Sequence, residues 1–196
     1  MFTDLMLDIE TFGTSYNSAV VQVAMVYFNR ESGQLGQEII VNLDVQDSIS
    51  NGFEISSETL DWWEKQPREI LESLSVNPFK LKEGLEIIKN FIHIDSIIWC
   101  HSTFDVPILG NVFLKMGNKL PWRYKNVRDI RTLCEQANLN LDMYDWESEK
   151  THNALSDVKF QVKYVTDACN MIKYKCSQEK AIEVRNKIQK ILLENQ

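Results

Sequence analysis

Positive charge is what this 196-residue sequence is short of: 21 Lys and Arg stand against 28 Asp and Glu, a formal net charge of −7. That balance excludes a protein that grips nucleic acid through a broad basic surface. It does not exclude an enzyme that meets a polyanion through metal ions, because such an enzyme needs carboxylates of its own to hold them. Seven Gly and four Pro are too few for a collagen-like or linker-dominated chain. No run approaches about eighteen apolar residues, and no basic segment leads into an apolar one at the N-terminus, so neither a spanning helix nor a secretory signal is expected. Cys100, Cys134, Cys169 and Cys176 are scattered without CxxC spacing. They read as reduced thiols of a cytoplasmic compartment rather than as a disulfide frame or a zinc site. With 44% apolar residues the chain is too apolar to be disordered, and its length fits one domain over residues 1–196.

What the sequence does have is strand and helix periodicity along its length, with no internal repeat and no low-complexity tract. Leu5-Met-Leu-Asp-Ile-Glu10 alternates with the two-residue period of a strand, and Ala19 to Phe28 is a longer β-branched run. Glu38 to Leu43 reads as a third strand after a turn at Glu31-Ser-Gly-Gln, which makes an antiparallel meander. Ser56 or Ser57 caps a short helix carrying Leu60, Trp62 and Trp63, which Pro67 interrupts. Leu81, Leu85, Ile88 and Ile92 recur at helical spacing, with Gly84 a weak point among them. Ser96 to Cys100 returns to a buried strand. A helix from about Val106 to Met116, a strand over Asn126 to Ile130 and a short helix over Arg131 to Ala137 follow. Ala154, Val158, Val162, Val165, Cys169 and Ile172 stripe a long helix, and Ala181, Val184, Ile188, Ile191 and Leu192 stripe a last one. Strands first, then helix and strand in alternation, describe an α/β chain: a mixed sheet flanked by helices.

The chemistry concentrates in acidic side chains. Asp8 and Glu10 share one face of the first strand while Leu5, Leu7 and Ile9 share the other, which sets two carboxylates about 7 Å apart opposite a core. On a central strand such a pair repels and is costly to desolvate, and a cation between the two is the natural compensation. Alone, the pair fits a solvent-facing edge strand more readily. Asp105, before Val106-Pro107, reads first as a helix cap. Asp157 fits a first-turn acid favoured by the helix dipole, and His152 a surface histidine in the loop before it. Together these residues sit at the end of the first strand, the end of a later strand and the start of a late helix, places that converge in a sheet flanked by helices. Four carboxylates with one imidazole nearby suit Mg²⁺ or Mn²⁺ rather than zinc, since no thiolate is offered.

Asp8-Ile-Glu10-Thr11, His101-Ser-Thr-Phe-Asp105 and His152-Asn-Ala-Leu-Ser-Asp157 stand in the order and spacing of the three motifs of the DEDDh exonucleases, members of the DnaQ-like superfamily with the ribonuclease-H fold. The chain resembles that family over nearly 150 residues. Within it, the chain is most similar to the phage exodeoxyribonuclease-A type and the related small bacterial 3′–5′ exoribonucleases. Three segments carry that likeness: Thr59-Leu-Asp-Trp62-Trp63-Glu-Lys-Gln66, Trp99-Cys-His-Ser-Thr-Phe-Asp-Val-Pro-Ile-Leu109 and Asn126-Val-Arg-Asp129-Ile-Arg131-Thr132. His101 departs from the family, where many relatives carry Asn or another small polar residue; a supporting role is expected of it.

The resemblance implies a ribonuclease-H-like mixed sheet, antiparallel in its first three strands and parallel after, with helices on both faces. It also implies a phosphodiesterase in which Asp8, Glu10, Asp105 and Asp157 hold two ions, Mg²⁺ or Mn²⁺, about 4 Å apart. His152 would be the general base. The substrate would be the 3′ end of single-stranded DNA or RNA, shortened stepwise to nucleoside 5′-monophosphates. The phage-type likeness favours DNA, and an exoribonuclease of the same site chemistry is the alternative. Thr11, Phe12, Trp62, Trp63 and Gln66 are the candidate substrate contacts. Trp62 and Trp63 point about 100° apart on a helix, so one enters the core and the other is free to stack on a terminal base; Phe12 would wedge against that base. A homodimer and a cytoplasmic location away from membranes complete the expectation.

Asp129 reads as a buried ion pair or a helix cap, and Arg123, Lys125, Arg128 and Arg131 mostly as a solvated face. Two other functions compete. A non-catalytic nucleic-acid-binding scaffold has no reason to keep four ligands and a base together. An endonuclease of the ribonuclease-H type expects its second carboxylate on a helix, not at Glu10.

Overall fold

The structure, a computed structural model, describes residues 2–144 and 152–194, with side chains up to residue 187. In chain order the strands are β1 (Asp4–Thr11), β2 (Val20–Phe28), β3 (Leu35–Asn42), β4 (Ile97–Cys100) and β5 (Val127–Asp129). The helices are α1 (Val45–Ser50), α2 (Ser57–Trp63), α3 (Arg68–Leu74), α4 (Leu81–Phe91), α5 (Asp105–Lys115), α6 (Ile130–Ala137) and α7 (Ala154–Glu194). The sheet has the order β3-β2-β1-β4-β5; β1, β2 and β3 pair antiparallel, and β4 and β5 add parallel strands on the far side of β1. The mixed sheet expected from the sequence is therefore the one observed.

β1 is central, and its alternation feeds two cores. Leu5, Leu7 and Ile9 pack with Leu81, Leu85 and Ile88 of α4 and Ile108, Leu109 and Val112 of α5. Met6, on the opposite face, packs with Ile130 and Cys134 of α6 and Val158, Val162 and Val165 of α7. Each such side chain contributes about 1.5–3 kcal/mol by leaving water. β2 gives Val23, Met25 and Tyr27 to the first core and Ala24, Val26 and Phe28 to the second. A strand covered on both faces reads as a continuous apolar run, which is why Ala19 to Phe28 shows no alternation. The polar face of β1 is thus not a solvent-facing edge: α7 lies over it.

Three features depart from the periodicity. α1 and α3 are short helices without a repeating stripe. Asp44 opens α1, accepting a hydrogen bond from the Asp47 N–H at 2.8 Å. Pro67 not only ends α2 but starts α3, since a fixed φ and a missing N–H are no loss at a helix N-terminus. The last two expected helices are one, α7, continuous over Ala154–Glu194. No Gly or Pro lies between Ile172 and Ala181 to stop it. The apolar stripe fades there because the helix leaves the body, residues 173–187 being exposed. The side chains of Ile188, Ile191 and Leu192 lie outside the described ones. No helix among the described residues is long and apolar enough to cross a membrane.

Gly84, the weak point of α4, packs closely against Leu43 and Val41. A Cβ at this position would overlap the Leu43 side chain, which is itself fully buried. Overpacking of this kind costs about 1–3 kcal/mol, against a gain of about 1 kcal/mol in helix propensity. Gly84→Ala is therefore expected to lower stability, read as a lower urea midpoint at unchanged slope.

Candidate active site

The C-terminal end of β1 carries Asp8 and Glu10, and the sheet is irregular there. Glu10 pairs with Gln22 while Thr11 pairs with Val20, so β2 carries one extra residue opposite the Glu10–Thr11 step. Bulges of this kind turn a strand end and re-aim its side chains. Trp63 fixes the same end: its indole N–H donates to the Thr11 carbonyl at 2.9 Å. From β4 the chain passes through His101 to Asp105, the first residue of α5. Asp105 does not cap that helix against solvent. It is 2% exposed, and its Oδ2 accepts from the His101 backbone N–H at 2.7 Å.

Gln22 of β2 brings in the other half. Its Oε1 accepts from the Ala154 N–H at the start of α7 at 2.9 Å, and its Nε2 donates to Asn42 of β3 at 2.8 Å. This buried chain ties the first turn of α7, and with it Asp157, to the sheet. His152, just before the helix, has φ 50°, the left-handed region that histidine visits more often than most residues. Its ring lies edge-on against Trp62 with centroids 4.7 Å apart.

Asp8, Glu10, Asp105, His152 and Asp157 line one cleft of about 260 Å³, together with His101, Arg131, Gln161 and Tyr164 among others. Ligand atoms of Glu10, His152 and Asp157 all lie within 4.8 Å of one another. Burial pushes the Asp105 carboxyl well above the usual carboxylate range, and the negative charge of Asp8 pushes it further; the His101 N–H and the Arg131 guanidinium oppose that. Carboxylates crowded out of water, with oxygen donors in the majority and the His152 imidazole among them, fit a divalent cation. Burial likewise raises the Tyr164 hydroxyl and the Cys100 thiol, so neither ionises near neutral pH.

The expected substrate contacts divide. Trp62, 40% exposed, and Thr11 line a hollow of about 570 Å³ that adjoins the cleft at Glu10 and Phe104. Trp63 is 2% exposed and packs under the strand end, with Phe12 against it edge to face at 6.2 Å. Gln66 turns back on its own helix, its Nε2 donating to the Trp62 carbonyl at 3.1 Å. Trp63, Phe12 and Gln66 therefore do not line the cleft or the hollow.

Some residues at the site went unmarked in the sequence. Gln161, Tyr164 and Phe160 line the cleft from α7, and Arg131 does so from α6, where a solvated face was expected. For Gln161 the signal is spacing: it follows Asp157 by four residues and so shares its face.

The profile of the family described as 3′-5′ exoribonuclease Rv2179c-like domain matches residues 3–169. The chain belongs to that family. Membership places it among the 3′-5′ exonucleases, which are hydrolases. The chain is also 25% identical over 173 residues to the exodeoxyribonuclease of Enterobacteria phage T4, an overlap of 71% of this chain and 74% of that protein. In fold it resembles E. coli exonuclease I in complex with a dA16 oligonucleotide, with a TM-score of 0.61 at 16% identity, covering 89% of this chain and 43% of that one. Product-bound exonuclease I gives 0.58 at 17% identity, covering 88% and 43%. The chain thus spans less than half the length of these exonuclease I chains, and the likeness establishes a ribonuclease-H-like exonuclease fold.

Asp129, expected as an ion pair or a cap, is a cap with a second task. Its carboxylate accepts from the Thr132 N–H and hydroxyl at 2.8 and 2.9 Å, and from the Ser102 N–H and hydroxyl at 3.0 and 2.9 Å. Burial pushes its pKa up, but these four bonds outweigh that and hold it at about 2. A depressed carboxylate contributes stability above its unfolded pKa of about 4 and loses that contribution as pH falls toward the folded value. The Tm difference between wild type and Asp129→Ala is expected to be full at pH 6 and to shrink steadily below pH 4 in thermal melts.

Proposed function

We propose that this chain is a metal-dependent 3′–5′ exonuclease that hydrolyses the terminal phosphodiester of single-stranded nucleic acid and releases nucleoside 5′-monophosphates. The observation that carries this reading is the meeting of Glu10, His152 and Asp157 within 4.8 Å, beside Asp8 and Asp105 in one cleft. Asp8, Glu10, Asp105 and Asp157 would hold two divalent ions, Mg²⁺ or Mn²⁺. When bound, those ions act as Lewis acids that acidify the attacking water and offset charge on the phosphate and the departing 3′ oxygen. His152 accepts the proton of that water on an imidazole nitrogen, a task suited to imidazole near neutral pH. The edge-on contact with Trp62 keeps its ring at the cleft mouth.

The hollow beside the cleft takes the terminal nucleoside, with Trp62 as the stacking surface and Thr11 as a polar contact. Trp63, Phe12 and Gln66 hold Trp62 and the strand end in place. We assign DNA as the substrate on the likeness to the phage exodeoxyribonuclease; the description of the family as exoribonucleases favours RNA as the second reading, and contacts to the 2′-OH decide between them. The reading takes residues 1–196 as one exonuclease domain, in a reducing cytoplasm that suits four free thiols. The homodimer implied by the resemblance draws no support from the comparisons.

Matched single-stranded DNA and RNA oligonucleotides, incubated with Mg²⁺ or Mn²⁺ and separately with chelator, test this directly. Stepwise 3′ shortening to mononucleotides is expected with metal and none with chelator, whereas purely internal cuts would refute the reading. In the same assay His152→Ala is expected to lower kcat about 10²–10⁴-fold. Trp62→Ala, measured as kcat/KM on the same oligonucleotide, is expected to lose about 1–3 kcal/mol of base stacking while leaving the melting temperature within a few degrees of wild type.

A further inference from the structure

Gln161 is 5% exposed, and its Nε2 donates to Oδ1 of Asp8 at 2.7 Å. A carboxylate only accepts, so the amide must present its nitrogen to Asp8 and leave its oxygen on the other side. That oxygen is enclosed and has no donor among the described residues. An unmade buried acceptor costs about 1–3 kcal/mol, and a Met or Leu on this helix would fill similar space without it. Packing alone therefore does not account for an amide here. The hydrogen bond to Asp8 does.

The choice of donor is informative. A Lys or Arg at this position would neutralise Asp8 and compete with any cation, and a Glu would add a further like charge to a cleft that already crowds them. A neutral amide fixes the carboxylate's orientation and leaves its charge intact. We propose that Gln161 is a positioning residue that holds Asp8 by Oδ1 and orients its carboxylate toward a divalent cation without neutralising it. This rests on the reading of Asp8 as a metal ligand. Hydrogen-bond partners of ligating carboxylates typically carry 10–100-fold in metal affinity.

The test is titration calorimetry of the full chain with Mn²⁺, comparing wild type with Gln161→Met and Gln161→Leu, alongside thermal melts of the metal-free proteins. Mn²⁺ affinity is expected to fall about 10–100-fold in both variants while their metal-free melting temperatures stay at or above that of wild type. On a single-stranded oligonucleotide, the KM for nucleic acid at saturating Mn²⁺ is expected to stay within about twofold. Variant affinities within twofold of wild type, or metal-free melting that collapses in both variants, would make Gln161 a packing residue and overturn the proposal. A wild type that takes up no Mn²⁺ would instead remove the metal reading beneath it, and the proposal with it.

Discussion

Gathering carboxylates where water is scarce is the constraint around which this protein is arranged. Asp8, Asp105 and Asp157 are all buried, and their mutual repulsion rises as the surrounding dielectric falls. Neutral donors help to meet this: a backbone N–H for Asp105 and an amide for Asp8. Arg131 is the one Lys or Arg among the described residues lining the cleft. A cleft neutralised by its own side chains would have no appetite for a metal. Cations held among these carboxylates, as proposed, would let an acidic chain meet a polyanion.

Such a cleft needs stiff walls, because repelling groups separate if they can. Stiffness comes from the sheet and from three sets of polar ties. Gln22 and Asn42 bind the start of α7 across β2 and β3, with Asn42 donating on to the carbonyls of Ser73 and Val76 at 2.8 Å each. Trp63 holds the end of β1. Asp129 joins the loop after β4 to α6 through four hydrogen bonds. Each set includes a buried or partly buried bond between elements far apart in sequence.

How much of this was legible depends on the range of the interaction. Strand alternation, the mixed sheet and the carboxylates at Asp8, Glu10, Asp105 and Asp157 were readable, since period-two patterning and motif spacing are local properties of the sequence. The ties were not. Nothing local tells that Gln22 caps a helix 132 residues later, because its partner is chosen by the crossing of α7 over β2. Trp62 and Trp63 show the middle case: spacing kept both from being core, but which one is buried followed from the reach of the Trp63 indole to Thr11. The unity of α7 is not legible because a fading apolar stripe reads as a helix end, whereas here it marks a helix leaving its core.

The hydrogen bond from Gln161 to Asp8 spans 153 residues of chain. The cleft draws Asp8 and Glu10 from the first strand, Asp105 from the middle of the chain and Asp157 from a helix late in the sequence, so no fragment lacking either end holds the full set of acidic groups. The cleft is therefore complete only where that helix lies docked on the sheet.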